Sequence, residues 1–318
     1  MERLKGMFYL VCAFSLAGTS VIAARFIDDH VGTFTITAVS LFLALLCLVP
    51  LGGRRLVQTV LRLSLQDWML LLTQSLFGVF LFRMFLLYGL AHTSAGEAGI
   101  LTGATPAVTL ILALLLLKES INRTALLGIL STIGGILLLQ GILIPERVVT
   151  FSTNHFIGNI LVICAAVSES LFNIFSRNAA IKTHLSHREP LHPITQTTLV
   201  SAMALVLCLI PSLFEHPLSA LSVIGWKDWL ALVWYGPFVT ALAFIFWYAG
   251  IKRCQVSTAA ALSGMMPFSS LLLSVIVLGE QTGWQQWSGG ILVILGMILI
   301  GGNQHSNMKK KKLPSLST

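Results

Sequence analysis

The chain has 318 residues, of which 56% are hydrophobic and only 10% charged, with a formal net charge of +8 and a mean hydropathy of +0.87. A soluble domain carries about 25% charged residues on its water-facing surface, so this composition excludes a soluble globular protein and makes lipid the main solvent. The positive balance is met by loop charges that set topology, so no nucleic-acid partner is needed.

Apolar stretches recur along the whole length. They run over 6–24, 31–53, 98–117, 124–145, 190–214, 229–251, 254–279 and 281–308; two more, 68–91 and 155–176, are each broken by one charge, Arg83 and Glu169. Each can cross a hydrocarbon core of about 30 Å, which takes about 20 helical residues. Continuous rather than alternating runs exclude a β-barrel. The expected fold is an all-α integral membrane protein with ten transmembrane helices. Arg3 and Lys5 precede the first segment as they would a signal peptide, but nine further spans follow it, so it is expected to be retained. Cys12, Cys47, Cys164 and Cys208 lie inside apolar helices, and Cys254 lies at a helix end without CxxC spacing. All five are read as small apolar residues.

Sixteen of the 20 Lys and Arg fall on one side of the expected topology: the N-terminus, the second, fourth, sixth and eighth loops, and the tail Lys309–Lys312. The other side holds Arg25, Arg147 and Lys227, and Arg83 is intramembrane. Positive charge resists translocation, so both termini are expected in the cytoplasm and the protein in the cell (inner or plasma) membrane.

A shift of 161 residues brings the two halves into register. Asp67-Trp68 meets Asp228-Trp229, Gly103 and Pro106 meet Gly264 and Pro267, and Glu119 meets Glu280. Gly89, Gly128 and Gly135 meet Gly250, Gly289 and Gly296. The first helices align with a shift of 152, the difference falling in an insertion around His184–His192. Five spans per half is an odd number, so two inverted five-helix repeats are expected, over 1–144 and 145–303, with a basic cytoplasmic tail at 304–318. Inverted repeats permit alternating access.

The two Gly-x-x-Pro copies, each with Glu thirteen residues past the Pro and Gly nine and sixteen past the Glu, resemble the EamA repeat of the drug/metabolite transporter superfamily. The resemblance runs from about residue 6 to residue 302. It implies a carrier that exports or exchanges small polar metabolites, such as amino acids or related compounds, with no cofactor and no ATP hydrolysis. No Gly-x-x-x-x-Gly-Lys-Ser/Thr element is present.

Pro106 and Pro267, deep in the fourth and ninth helices, free a carbonyl four residues earlier. With Gly103 and Gly264 they are read as hinges, against the plainer reading of a static kink. Gly128, Gly134, Gly135 and Gly141, like Gly289, Gly290, Gly296 and Gly302, are expected to join the halves or a second copy in a homodimer. Glu119 and Glu280 close helices whose C-termini repel a carboxylate, so each needs a partner, such as the N-terminus of the next helix; capping or gating is the expected role.

An ionisable group at membrane depth is expensive and points to function. Arg83 and Glu169 fall at similar depth and are expected to pair across a central cavity. There Arg83 suits a carboxylate or phosphate, and Glu169 suits an amine or a proton; a buried structural ion pair is the competing reading. Glu97 opens the fourth helix and is a second candidate for proton coupling. Asn173 and Gln74 are polar neighbours on the same helices, and Trp247 and Tyr248 either wall the cavity or anchor at the interface. The eight histidines fall outside the spans, His155 and His184 among those in loops, and no metal is assigned. The expected function is a secondary exporter; an integral-membrane enzyme on lipid-linked substrates and a non-transporting scaffold are the alternatives.

Overall fold

A computed structural model describes residues 2–27, 31–117, 123–139, 153–185, 191–251, 253 and 262–312. Among the described residues every regular element is helical. The first half contains α1 (Glu2–Gly18), α2 (Ser20–Arg25), α3 (Thr33–Val60), α4 (Leu65–Ser75), α5 (Phe82–Leu90), α6 (Ala95–Thr102), α7 (Thr105–Leu117) and α8 (Arg123–Leu139). The second contains α9 (Thr153–Leu185), α10 (Pro193–Leu213), α11 (Pro217–Val223), α12 (Trp226–Val233), α13 (Ala243–Ile251), α14 (Met265–Leu278) and α15 (Trp284–Lys312). π-helical segments, Leu76–Leu81 and Trp234–Leu242, join α4 to α5 and α12 to α13 into single rods.

Six described rods are long and apolar enough to cross a membrane: Leu4–Arg25, Thr33–Val60, Leu65–Leu90, Thr153–Ser176, Pro193–Leu213 and Trp226–Ile251. The expected fourth span misses that length because it is broken in two. Gly103 N–H and Ala104 N–H turn back to Ile100 and Leu101 carbonyls, and α7 begins afresh at Thr105. Pro106 is therefore not deep inside a helix, as the sequence suggested, but in the first turn of a new one, where its missing N–H costs nothing. Pro267 sits likewise at the start of α14. Glu119 and Gly141 lie outside the described residues. His155 and His184, expected in loops, fall within α9, because that helix extends past its apolar stretch at both ends.

The two halves interlock. Helix α1 packs on α13 and α14, α9 packs on α5 and α7, and α3, α6 and α8 pack on α10, α14 and α15. Glycines govern these contacts, because small residues let backbones approach in lipid. A Cβ added at Gly135 would lie 2.6 Å from the Gly289 carbonyl oxygen, and one at Gly128 would lie 2.8 Å from that of Gly296. Since Gly128 aligns with Gly289 and Gly135 with Gly296, the two contacts are mates under one pseudo-two-fold axis. Gly89 against the Gly158 carbonyl (2.9 Å) and Gly250 against that of Gly6 (3.2 Å) form a second mated pair. Along α6, Gly96, Gly99 and Gly103 face Ser274, Ser270 and Pro267 of α14, so the two Gly-x-x-Pro motifs meet at the centre. Among the described residues nothing lies within 4 Å of a Cβ added at Gly134, which belongs to none of these seams.

Two carboxylates of the second half close one end of the bundle. Gly279 ends α14 in the left-handed region (φ 66°) and turns Glu280 toward α6. There Glu280 accepts from Ala95 N–H (2.9 Å) and Gly96 N–H (3.0 Å). It has found a helix N-terminus, though one in the other half rather than that of the next helix. Glu215, just past α10, accepts from Phe34 N–H (3.1 Å) and from the amide (2.7 Å) and hydroxyl (2.8 Å) of Thr35 at the start of α3. At the opposite end Arg253 donates to Glu2 at 3.1 Å. Arg253 and Lys5 hold the Glu2 carboxyl below its usual range, but an exposed pair like this adds little stability.

Glu215→Ala and Glu280→Ala should each lower unfolding stability in detergent by about 1–2 kcal/mol, the typical worth of a helix N-cap, whereas Glu2→Ala should leave it unchanged. Gly134→Ala should stabilise by about 0.5–1 kcal/mol through helix propensity, and Gly135→Ala should destabilise because its Cβ meets backbone. A comparison of the five midpoints by thermal unfolding checks both expectations.

Candidate functional site

The rods that carry the candidate residues start alike. Ser64 and Asp67 form a capping box at α4, and Asp228 accepts from Gly225 N–H (2.8 Å) at α12. Their π-helical segments end on Leu81 and Leu242, which are equivalent under the 161-residue shift. A π turn hands each N–H to the carbonyl five residues back and leaves others open to side chains. Ser168 of α9 donates to the Phe77 carbonyl (2.9 Å), and the Thr240 hydroxyl donates to the Tyr235 carbonyl (2.8 Å).

Arg83 lies two residues past the end of the first π segment and is 4% exposed. Its guanidinium donates to the Ser40 hydroxyl of α3 at 2.8 Å and to the Thr240 hydroxyl, and lies 4.5 Å from the ring centroid of Tyr235. Two hydroxyls and an aromatic face engage the guanidinium without neutralising it. Among the described residues no carboxylate pairs with it.

The expected Arg83–Glu169 pair is therefore not formed. Helices α5 and α9 do pack together. The helices meet through Gly89 against Val162, and Gly78 against Phe172 where the π segment crosses α9, which turns the charges to opposite sides of the seam. Arg83 faces α3 and the second π segment. Glu169 faces α7, where it accepts from the Thr105 hydroxyl at 2.8 Å. Ser170 donates to the Thr105 carbonyl at 3.1 Å, so α9 grips the first residue after the break in the fourth apolar segment. Asn173, half-buried, lies one turn along from Glu169.

The remaining candidates are dispersed. Gln74 is buried and accepts from the Gln196 amide of α10 at 3.2 Å, a bridge between the halves. Trp247 touches Phe172 (centroids 5.8 Å) and Tyr248 (4.9 Å). Tyr248 is 3% exposed and its hydroxyl has no partner among the described residues, which argues against an interfacial anchor. Glu97 lies in a network at the start of α6: Thr93 donates to it (3.2 Å), His155 lies 3.2 Å away, and Arg25 donates to the Thr93 carbonyl. Ser40, Thr240 and Thr105 carry no signal in the sequence, since nothing distinguishes a hydroxyl that meets a charge from one that bonds its own helix, and the partners of Gln196 and Glu215 lie more than a hundred residues away in the other half.

The sequence profile described as "EamA-like transporter family" matches residues 4–140 and again 156–302. Two proteins of Bacillus subtilis (strain 168) are similar over much of the chain. One, named "Uncharacterized transporter YetK", is 30% identical over 297 residues, 91% of this chain and 84% of its own. The other, named "Uncharacterized transporter YyaM", is 28% identical over 227 residues, 71% of this chain and 70% of its own. A solved crystal structure superposes with a TM-score of 0.63 over 98% of this chain and 99% of that one, at 22% identity, and shares the fold. With two profile matches spanning nearly all its apolar helices, this multi-pass membrane protein belongs to the EamA-like transporter family.

Proposed function

We propose that the protein is a secondary, ATP-independent exporter of small polar metabolites carrying an anionic group, such as amino acids or related compounds, working by alternating access in the cell membrane. The observation that carries this reading is Arg83: a buried guanidinium held by Ser40, Thr240 and Tyr235 without a counter-charge among the described residues. An unneutralised charge at membrane depth is costly to keep, and a carboxylate or phosphate on the substrate supplies what it lacks.

In this reading the chain forms ten spans, with repeats over 1–144 and 145–303, a tail over 304–318 and both termini in the cytoplasm. Glu169 is the proton-coupling group, and Glu97 the candidate second one. Because Glu169 holds Thr105, a change in its charge acts on the Gly103–Pro106 break, and the equivalent break at Gly264–Pro267 moves with it. Gln74, Asn173, Trp247 and Tyr248 border the path, Glu119 and Glu280 gate its two ends, and the exposed face of α8 and α15 meets lipid or a second copy.

Purified protein in liposomes should move such metabolites down their gradient without ATP. Arg83→Gln should lower apparent affinity by about 10- to 100-fold, the worth of a charge-assisted hydrogen bond or two. Glu169→Gln should abolish the pH dependence of flux. Size-exclusion and thermal unfolding establish that both variants are folded. Unchanged flux in folded variants would remove both residues from the site.

A further inference from the structure

Helix α3 starts without a side-chain cap of its own, since Gly32 stands at its N-cap. The second half supplies one: Glu215 accepts from Phe34 N–H and from the amide and hydroxyl of Thr35. The seat is fitted to the carboxylate, because a Cβ added at Gly32 would run into the Glu215 carboxyl group. Phe34 in turn stacks on Phe80 (centroids 5.6 Å) and meets Tyr88 edge-on (6.3 Å). Both aromatics belong to the Leu65–Leu90 rod, so the clamp joins α10, α3 and the rod that carries Arg83.

The guanidinium lies directly inward of this clamp. Ser40, which accepts from Arg83, is further along α3 than Thr35 by about 7.5 Å, at about 1.5 Å per residue. Cys208, two turns before Glu215 on α10, is 1% exposed and within electrostatic reach of both Glu215 and Arg83. It is buried with Ala38 and Leu41 of α3. From the end of the bundle inward the order is therefore Glu215, Cys208, Arg83, with α3 and α10 packed together along it. Glu280 holds α6, a different seam. The 161-residue shift carries Glu215 onto Arg54, and Phe34 and Thr35 onto Thr195 and Gln196 of α10. A guanidinium has no acceptor to give a helix amide, and the positive end of a helix repels it. The duplication thus repeats the helices but not the clamp, which belongs to one end only.

We propose that Glu215 is the latch of a gate over the Arg83 site. Seated on α3, it holds α3 and α10 together above the guanidinium; when the carboxylate lets go, the two helices part and Arg83 opens to water from that end. The inference rests on the role given to Arg83 above, and in the orientation given there the latched end is the outer one.

The test uses Cys208 as the reporter, in the full chain with Cys12, Cys47, Cys164 and Cys254 replaced by Ala. Protein in nanodiscs is treated with 2-sulfonatoethyl methanethiosulfonate, a small water-soluble anion, and the rate of Cys208 modification is followed by mass spectrometry well below each unfolding midpoint. Glu215→Ala should raise that rate about tenfold, the equivalent of about 1.4 kcal/mol of lost hold. Thr35→Val, which removes only the hydroxyl bond, should raise it by a smaller factor. Glu215→Gln keeps the shape with a weaker acceptor; it should also raise the rate, and it serves where the Ala variant does not fold. Gly135→Ala loosens a distant seam and should leave the rate unchanged, whereas general softening of the bundle would move it as much as the loss of Glu215. A rate unmoved by the Glu215 variants, or raised equally by Gly135→Ala, overturns the proposal. No substrate is needed for this readout, so it separates from the role of Arg83: the latch can fail while Arg83→Gln still weakens transport, and the reverse.

Discussion

Backbone contact at glycine is the interaction on which the rest of this structure depends. Lipid supplies no hydrophobic drive between apolar helices, so association has to come from close packing. Here the close approaches lie almost wholly between the two halves of the chain: Gly135 on Gly289, Gly128 on Gly296, Gly89 on Gly158 and Gly250 on Gly6. The repeats are units of sequence but not separate bodies. Helix α1 belongs physically with α13 and α14, and α9 with α5 and α7, so any rocking motion divides the chain along those groupings rather than at its midpoint.

Symmetry in the scaffold makes its failures informative. Thr105 and Ser170, bound through a hydroxyl and a carbonyl, align with Met266 and Gly18, which meet as bare backbone. Glu169 aligns with Ala17, and Arg83 with Phe244. The more polar crossing is that of α9 with α7, which carries a carboxylate where its mate, α1 with α14, has only the Ser270 hydroxyl donating to the Gly18 carbonyl (2.8 Å). The duplicated residues carry the packing, while the polar crossing is free to carry chemistry without disturbing it.

Composition alone settled the lipid environment, and the glycine register announced the seams that join the halves, since both depend on residue type and spacing. What side chains face is a different kind of information. Helix length puts Arg83 and Glu169 at similar depth; that they bind different partners depends on how Gly89 and Phe172 set the rotation of α5 and the π segment against α9. The π segments were invisible for the same reason, because a five-residue hydrogen-bond register leaves no compositional mark in an apolar run. Glu280 was recognised as a carboxylate in need of a positive partner, but that partner lies 184 residues away from it in sequence, beyond what local spacing encodes.

The interlocked topology also has a history written into it. Helix α1 leaves the ribosome well before the helices it packs against, α13 and α14, which come more than two hundred residues later. At a synthesis rate of about 5–20 residues per second, α1 waits on the order of ten seconds or longer with its Gly6 and Leu10 face against lipid alone. During that interval only its own backbone hydrogen bonds and the basic residues at its entry hold it in place. Assembly around α1 is therefore closed from α13 and α14 backward, and a segment made early finds its neighbours late.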